Sequence, residues 1–284
     1  MNKLKLTLFI CLLLAGAALA QRRWGRGWGR DWVPEDIRTP REIAQHSAET
    51  PAWTNAPGFA HDVFTFVRVR RARAYYSSGG PWYTDTPDSD LNLSYRLQQV
   101  TAMKVDPDGR FINLTDKDLA SFPFIYMVEP GSLELSAAEV RALRDYLLNG
   151  GFLWLDDFWG EREWADCARV IKQVFPDRDF SELPLDHPLY RCVFDIRSKS
   201  QIPNVFLGTE SQYTGITWER SDAREVHHRA IFDDQGRLMV LATHNTDNGD
   251  GWEWEGDNQY FFREFSEKIA YPLAINILFY VMTH

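Results

Sequence analysis

Gly150-Gly151-Phe152-Leu153-Trp154-Leu155-Asp156-Asp157-Phe158-Trp159-Gly160 is the stretch that decides the fold. A Gly-Gly turn leads into an uninterrupted apolar run, the pattern of a strand buried on both faces. Two adjacent carboxylates stand where the strand runs out, with Trp159 and Gly160 just beyond. In open α/β sheets, ligands bind outside the carboxyl ends of the strands. One segment therefore supplies both a fold and a candidate site.

The flanking sequence supports a parallel sheet. Just upstream, Ser136 with Glu139 three residues later forms a capping box. Val140, Leu143 and Leu147 give the following helix one apolar face, and Asn149-Gly150-Gly151 stops it. Before that helix, Phe124-Ile125-Tyr126-Met127-Val128 reads as a strand that ends at Glu129-Pro130-Gly131. Strand, helix and apolar strand in succession predict parallel pairing. Downstream, Trp164, Cys167, Val170, Ile171 and Val174 recur at helical spacing over 161–174. An alternating strand is expected over 63–69, then a long loop through Gly79-Gly80-Pro81-Trp82-Tyr83-Thr84-Asp85. A helix over 90–101 follows, with Leu91, Tyr95 and Leu97 inward. Residues 175–203 read as loop-rich and contain Asp186-His187-Pro188. Strands at 230–232 and 238–242 flank a turn at Asp233-Asp234-Gln235-Gly236, the signature of a hairpin. His227-His228 reads as a surface pair, and 261–282 as a final buried helix bent or interrupted at Pro272.

The amino terminus has the form of an export signal. Lys3 and Lys5 precede an apolar run over 6–14, and Ala18-Leu19-Ala20 has the small-x-small form of a cleavage site. That run is shorter than the ~20 residues a membrane span needs. The expected product starts at Gln21, is periplasmic or secreted, and is not an integral membrane protein. Its organisation reads as a lead-in over 21–60 and a single α/β domain over 61–284. Within the lead-in, Arg22-Arg23-Trp24-Gly25-Arg26-Gly27-Trp28-Gly29-Arg30 is either a flexible linker or a patch that meets an anionic surface. The formal charge of −9 argues against a nucleic-acid partner. Of the 3 cysteines, Cys11 falls in the signal, leaving Cys167 and Cys192 as a disulfide or as two buried thiols.

With these segments placed, the chain resembles the bacterial family called domain of unknown function 4159. The matching stretches are Trp82 to Pro87, Phe122 to Met127, Leu147 to Phe152 with Asp156 to Gly160, Asp186-His187-Pro188, and Asn245 through Trp254. The resemblance implies a core similar to class I glutamine amidotransferases, a flavodoxin-like three-layer sandwich with a mostly parallel sheet. Those enzymes carry a nucleophilic cysteine in a glycine-flanked strand-to-helix elbow. Here the comparable turn carries Asp156 and Asp157, and no Gly-x-Cys-x-Gly occurs.

The residues that follow the expected strands converge on one chemistry. They are Trp82 and Asp85, then Glu129, then Asp156, Asp157 and Trp159, then Asn245, Asp247, Asp250, Trp252 and Glu253. Parallel strands would gather them into an acidic, aromatic cleft, with His187 as a further candidate ligand. Aromatic faces beside carboxylates suit a polar small molecule such as a saccharide. Asp156, Asp157, Asp247 and Asp250 also suit a hard divalent cation, the one cofactor candidate. Asp157 with Asp250 or Glu253 could act as acid and base in a hydrolase. For one of Asp156 and Asp157, capping the next helix is the expected role. Asn245 to Gly251 fails the EF-hand pattern and reads as a turn. Polar-ligand binding is thus the leading expectation, with a carboxylate hydrolase and an envelope interaction module as alternatives.

Overall fold

A computed structural model describes residues 33–46, 49–59, 62–71 and 80–284. The segment read as an export signal, the Trp-Arg-Gly stretch over 22–30 and Cys11 lie outside the described residues. The chain divides into two units, Met1–Asp36 and Ile37–His284. The second holds all the secondary structure discussed below.

Its centre is a seven-stranded mixed sheet. The strands are β1 (Val67–Arg70), β2 (Arg110–Asn113), β3 (Phe124–Val128), β4 (Phe152–Asp156), β5 (Ser181–Glu182), β6 (His227–Phe232) and β7 (Leu238–His244), in the order β2-β1-β3-β4-β7-β6-β5. The five strands from β2 to β7 pair in parallel. β6 and β5 add an antiparallel edge. The register places Phe124 beside Phe152, Val128 beside Asp156, and Leu153 beside Val240.

Helices cover both faces, which is why β3, β4 and β7 are buried along their whole length. Strand alternation divides their side chains. Phe124, Tyr126, Phe152 and Trp154 join one core with Leu93 and Leu97 of α1 (Asp88–Val100) and with α6 (Tyr271–Thr283). Ile125, Met127, Leu153 and Leu155 join the other, with Leu143 and Leu147 of α2 (Ala137–Leu148) and Cys167, Val170, Ile171 and Val174 of α3 (Gly160–Val174). The capping box of α2 forms as expected, with Ser136 Oγ accepting from the Glu139 N–H. Such a cap contributes about 1 kcal/mol.

Three features depart from the sequence reading. The first strand is Val67–Arg70, and all four residues, arginines included, are buried. The Asn/Asp/Gly-rich stretch read as a turn is instead a short helix, α5 (Asn248–Glu253), with Asp247 as its N-cap. Three elements, β2, β5 and α4 (Val205–Thr214), have no counterpart in that reading. The final helix is interrupted beside Pro272, as expected: a π-helical segment, Phe262–Ala270, hands over to α6, and Pro272 sits in the first turn of α6. Pro272 has no N–H to continue the backbone ladder, and the change of helical repeat falls beside it.

His228 is also not at the surface. It is 1% exposed in β6, with its ring bonded to the Tyr190 hydroxyl at 2.8 Å. The two cysteines are free. Cys167 belongs to one core and Cys192 packs against the other, so the sheet separates them and no disulfide can form.

Part of the stretch read as lead-in packs on the domain. Arg41 donates to the carbonyls of Thr50 and Pro107, and the Trp53 indole donates to the Val105 carbonyl. His46 reaches Asp88 at the start of α1 at 2.9 Å. Among the described residues no helix is long and apolar enough to cross a membrane.

Candidate functional site

The four parallel strands β1, β3, β4 and β7 end at one edge of the sheet, and each is followed there by acidic residues. The backbone is unusual at this edge. The described non-glycine residues with positive φ are Asp85 (65°), Glu129 (54°), Asp157 (56°) and Asn245 (63°). Each lies after one of those four strands. Left-handed backbone at a non-glycine residue costs of order 1 kcal/mol or more and gathers at functional sites.

Asp85 is held by the loop over 82–90, which wraps the buried guanidinium of Arg68. Arg68 donates to the carbonyls of Thr84 and Trp82, to Ser89 Oγ, and to both oxygens of Asp90. Arg68 and Asp90 are each fully buried. The Arg68 charge is thus committed to Asp90.

The neighbours Asp156 and Asp157 have opposite environments. Asp156 ends β4 and faces the Trp154 side of the sheet. Its Oδ1 accepts from Thr243 Oγ1 at 2.5 Å and from Asn248 Nδ2 at 2.7 Å. Its Oδ2 accepts from the Tyr126 hydroxyl at 2.8 Å and from the Asn248 N–H at 3.0 Å. Asp156 therefore ties β3, β4 and β7 to the start of α5. Asp157 is 7% exposed, and its described hydrogen bond is from the Trp159 indole to Oδ1 at 3.1 Å. Neither aspartate caps α3. That helix starts on Asn245 Oδ1, which accepts from the Gly160 N–H at 2.8 Å, and on Asp222, which accepts from Glu161.

From the β7 side come Asp247, Asp250 and Glu253. Asp247 Oδ1 accepts from the Asp250 N–H at 2.8 Å, and Asp250 Oδ2 accepts from the Val205 N–H at 2.7 Å. Asp85, Asp157 and Asp247 each bring one oxygen within 4.8 Å of the others, and Asp85, Asp250 and Glu253 do likewise. The loops carrying Asp157 and Asp250 therefore meet, through Asp85.

Burial is the first cause of the electrostatics here, and mutual repulsion adds to it. It pushes the carboxyls of Asp85, Asp157, Asp247 and Glu253 well above the usual range. After burial, the largest repulsion is from Asp250 at Asp85, from Glu129 at Asp157, and from Asp157 at Asp247. Asp250 is raised to about 6 and Glu129 to about 7. Asp156 is also raised by burial, but its hydrogen bonds oppose the shift.

The aromatic candidates are not open faces. Trp252 is fully buried against Trp154, Tyr126 and Phe66. Trp159 is 3% exposed, and the guanidinium of Arg70 covers the ring of Trp82 at 4.9 Å. His187 lies at the opposite edge of the sheet. It packs on Phe232 and Tyr280, and its Nδ1 accepts from Leu189 to start the 188–191 turn. A surface concavity of about 480 Å³ lined by Phe122, Pro123, Tyr146, Gly150 and Gly151 also lies at that opposite edge. The carboxylates of the centre and the rings of Trp159 and Trp252 are thus largely buried among the described residues. Sequence reasoning missed Arg68, Asp90 and Tyr126, which hold the centre from β1, α1 and β3. Hydrophobic periodicity gives no signal for a buried arginine in a strand.

A search of curated proteins found no match to the chain. Residues 65–282, well over half of its length, match the family described as domain of unknown function (DUF4159), and the chain belongs to that family.

Proposed function

We propose that this is an exported protein that binds a hard divalent cation in the carboxylate centre at the C-terminal edge of its sheet, and through that ion a small polar ligand. The convergence of Asp85, Asp157, Asp247, Asp250 and Glu253 carries the reading. Oxygen-only donor sets of this kind suit Mg²⁺, Mn²⁺ or Ca²⁺. A cation also offsets the burial and mutual repulsion that raise these carboxyls. The buried positions of Trp159 and Trp252 weaken a saccharide-stacking platform, so recognition rests on ionic and hydrogen-bonding contacts. Export rests on Lys3, Lys5, the apolar run and Ala18-Leu19-Ala20; mass spectrometry of the exported chain should find Gln21 first.

The parallel order β2-β1-β3-β4-β7 supports a flavodoxin-like three-layer sandwich, similar to the class I glutamine amidotransferase core. Amidotransferase chemistry is not part of the proposal, because Cys167 is buried inside α3 and burial raises its thiol. A metal-assisted hydrolase is the second reading. It is favoured by Asp157 and Asp250 both reaching Asp85, with Asp250 near 6, in the range of a general base. The envelope-module alternative draws on residues 22–30, which lie outside the described residues.

The test is thermal unfolding of wild type and Asp157→Asn with Ca²⁺, Mg²⁺, Mn²⁺ and a saccharide panel. Saturation to 100 Kd adds about 2.7 kcal/mol, roughly 5–10 °C for a domain of this size. A cation-dependent rise in wild type that is smaller in Asp157→Asn supports the reading. No shift with any cation overturns it, and product release from a glycan selects the hydrolase.

A further inference from the structure

The carboxylates do not form a single ring. They form two three-oxygen sets, Asp85 with Asp157 and Asp247, and Asp85 with Asp250 and Glu253. Asp85 is the member common to both. Three of the other four are oriented by a donor on one oxygen: Trp159 on Asp157, the Asp250 N–H on Asp247, and the Val205 N–H on Asp250. Fixing a carboxylate plane in this way is how proteins aim a ligand oxygen.

Asp85 itself supplies a second observation. It is 9% exposed, and its Oδ2 is buried with no hydrogen-bond partner among the described residues. That oxygen lies against Gly249 of α5, where an added Cβ would collide with it and would sit 3.3 Å from Asp247 Oδ1. When ionised, this oxygen only accepts, and it lies beside Asp247 in the centre without a donor to satisfy it. An unsatisfied buried charge is costly. Asn248 Oδ1, on the same turn of α5, is likewise buried and unpartnered among the described residues.

Charge decides how many ions the centre takes. The five carboxylates carry −5 when ionised. One divalent cation leaves −3 buried, and two leave −1. Arg68 attracts Asp85 as well, but it supplies a single charge that is already hydrogen-bonded to Asp90. Each uncompensated buried charge costs several kcal/mol, so a second ion is favoured once the first has bound.

We propose that the centre holds two hard divalent cations bridged by Asp85, one seated on Asp157 and Asp247 and the other on Asp250 and Glu253. The proposal rests on the cation reading above and adds the count, the bridge and the division of ligands. Two ions sharing a carboxylate sit about 3.5–4 Å apart. Each keeps coordination positions beyond its three protein oxygens for water or a polar ligand.

The experiment is a Mn²⁺ titration of the EDTA-stripped full chain, with bound metal counted by electron paramagnetic resonance and calorimetry. Wild type should bind two Mn²⁺ per chain and give a spin-coupled spectrum. Asp157→Asn and Glu253→Gln should each bind one, uncoupled, while circular dichroism shows the wild-type fold. One Mn²⁺ per wild-type chain, or two that remain uncoupled, overturns the two-ion proposal and leaves the single-cation reading standing. No Mn²⁺ bound to wild type overturns both. The wild-type count and coupling decide the matter even if a variant fails to fold.

Discussion

The pair Asp156 and Asp157 offers a sharp contrast, because one substitution at adjacent positions should act in opposite ways. Asp156→Asn keeps one oxygen and turns the other into an NH₂ group. Each oxygen of Asp156 accepts two hydrogen bonds, one from a hydroxyl and one from Asn248. A hydroxyl can turn to accept from the NH₂, so the Asn248 bond is the one lost, at roughly 1.5–3 kcal/mol. Weakening of the remaining bonds and removal of a buried charge oppose each other, leaving a net loss of about 2 kcal/mol. For a domain of this size that is a fall in Tm of roughly 4–8 °C. Asp157→Asn keeps an oxygen for the Trp159 indole, and asparagine tolerates the left-handed backbone at φ 56°. It also removes repulsion with Glu129 and Asp85. Without cations at pH 7.5, its Tm should equal or exceed wild type. The assay is thermal unfolding of the three proteins in EDTA, followed by circular dichroism. An equal fall in both variants would refute the division into an anchor and an open ligand.

Further outcomes follow from particular contacts. Gly249→Ala places a Cβ against Asp85 Oδ2; the fold should persist, and Mn²⁺ affinity, measured by calorimetry, should drop tenfold or more. Arg68→Met leaves the fully buried Asp90 without its partner, and denaturant unfolding should show a loss of about 3–5 kcal/mol. Burial lowers His228 from 6.5 to about 3, so the folded protein excludes a proton that the unfolded chain accepts. Stability should fall by up to about 5 kcal/mol as pH drops from 6.5 toward 3, and His228→Gln should flatten that slope in denaturant titrations.

The parallel core was legible because its signals are local. The apolar run at 152–155, the capping box at Ser136 and Glu139, and the Gly-Gly stop each specify an element within a few residues. Once β3, β4 and β7 are parallel, the acidic loops at their ends must share an edge, and Asp85, Asp157, Asp247, Asp250 and Glu253 do meet there. What sequence could not show is which oxygens are spent. Asp156 and Asp157 are adjacent and chemically identical, yet strand alternation turns Asp156 toward Tyr126 and Thr243, while a left-handed residue turns Asp157 outward from the strand. The arginines of β1 mimic a solvent-facing row, but Arg68 is buried against Asp90 and the carbonyls of Trp82 and Thr84, and Arg70 against the Ile37 carbonyl and the Trp82 ring. The turn chemistry of Asn245 to Gly251 is equally that of a helix start, and only the Asp247 side chain accepting from Asp250 resolves it.

The central claim, a cation seated among these carboxylates, is tested most directly by anomalous diffraction from crystals grown with Mn²⁺. The account predicts a manganese peak at the Asp85 carboxylate, bonded to oxygens at about 2.0–2.6 Å, flanked by Asp157 and Asp247 or by Asp250 and Glu253. Well-diffracting crystals with manganese only at surface carboxylates, or with the five side chains bonded to one another and to water, would contradict it.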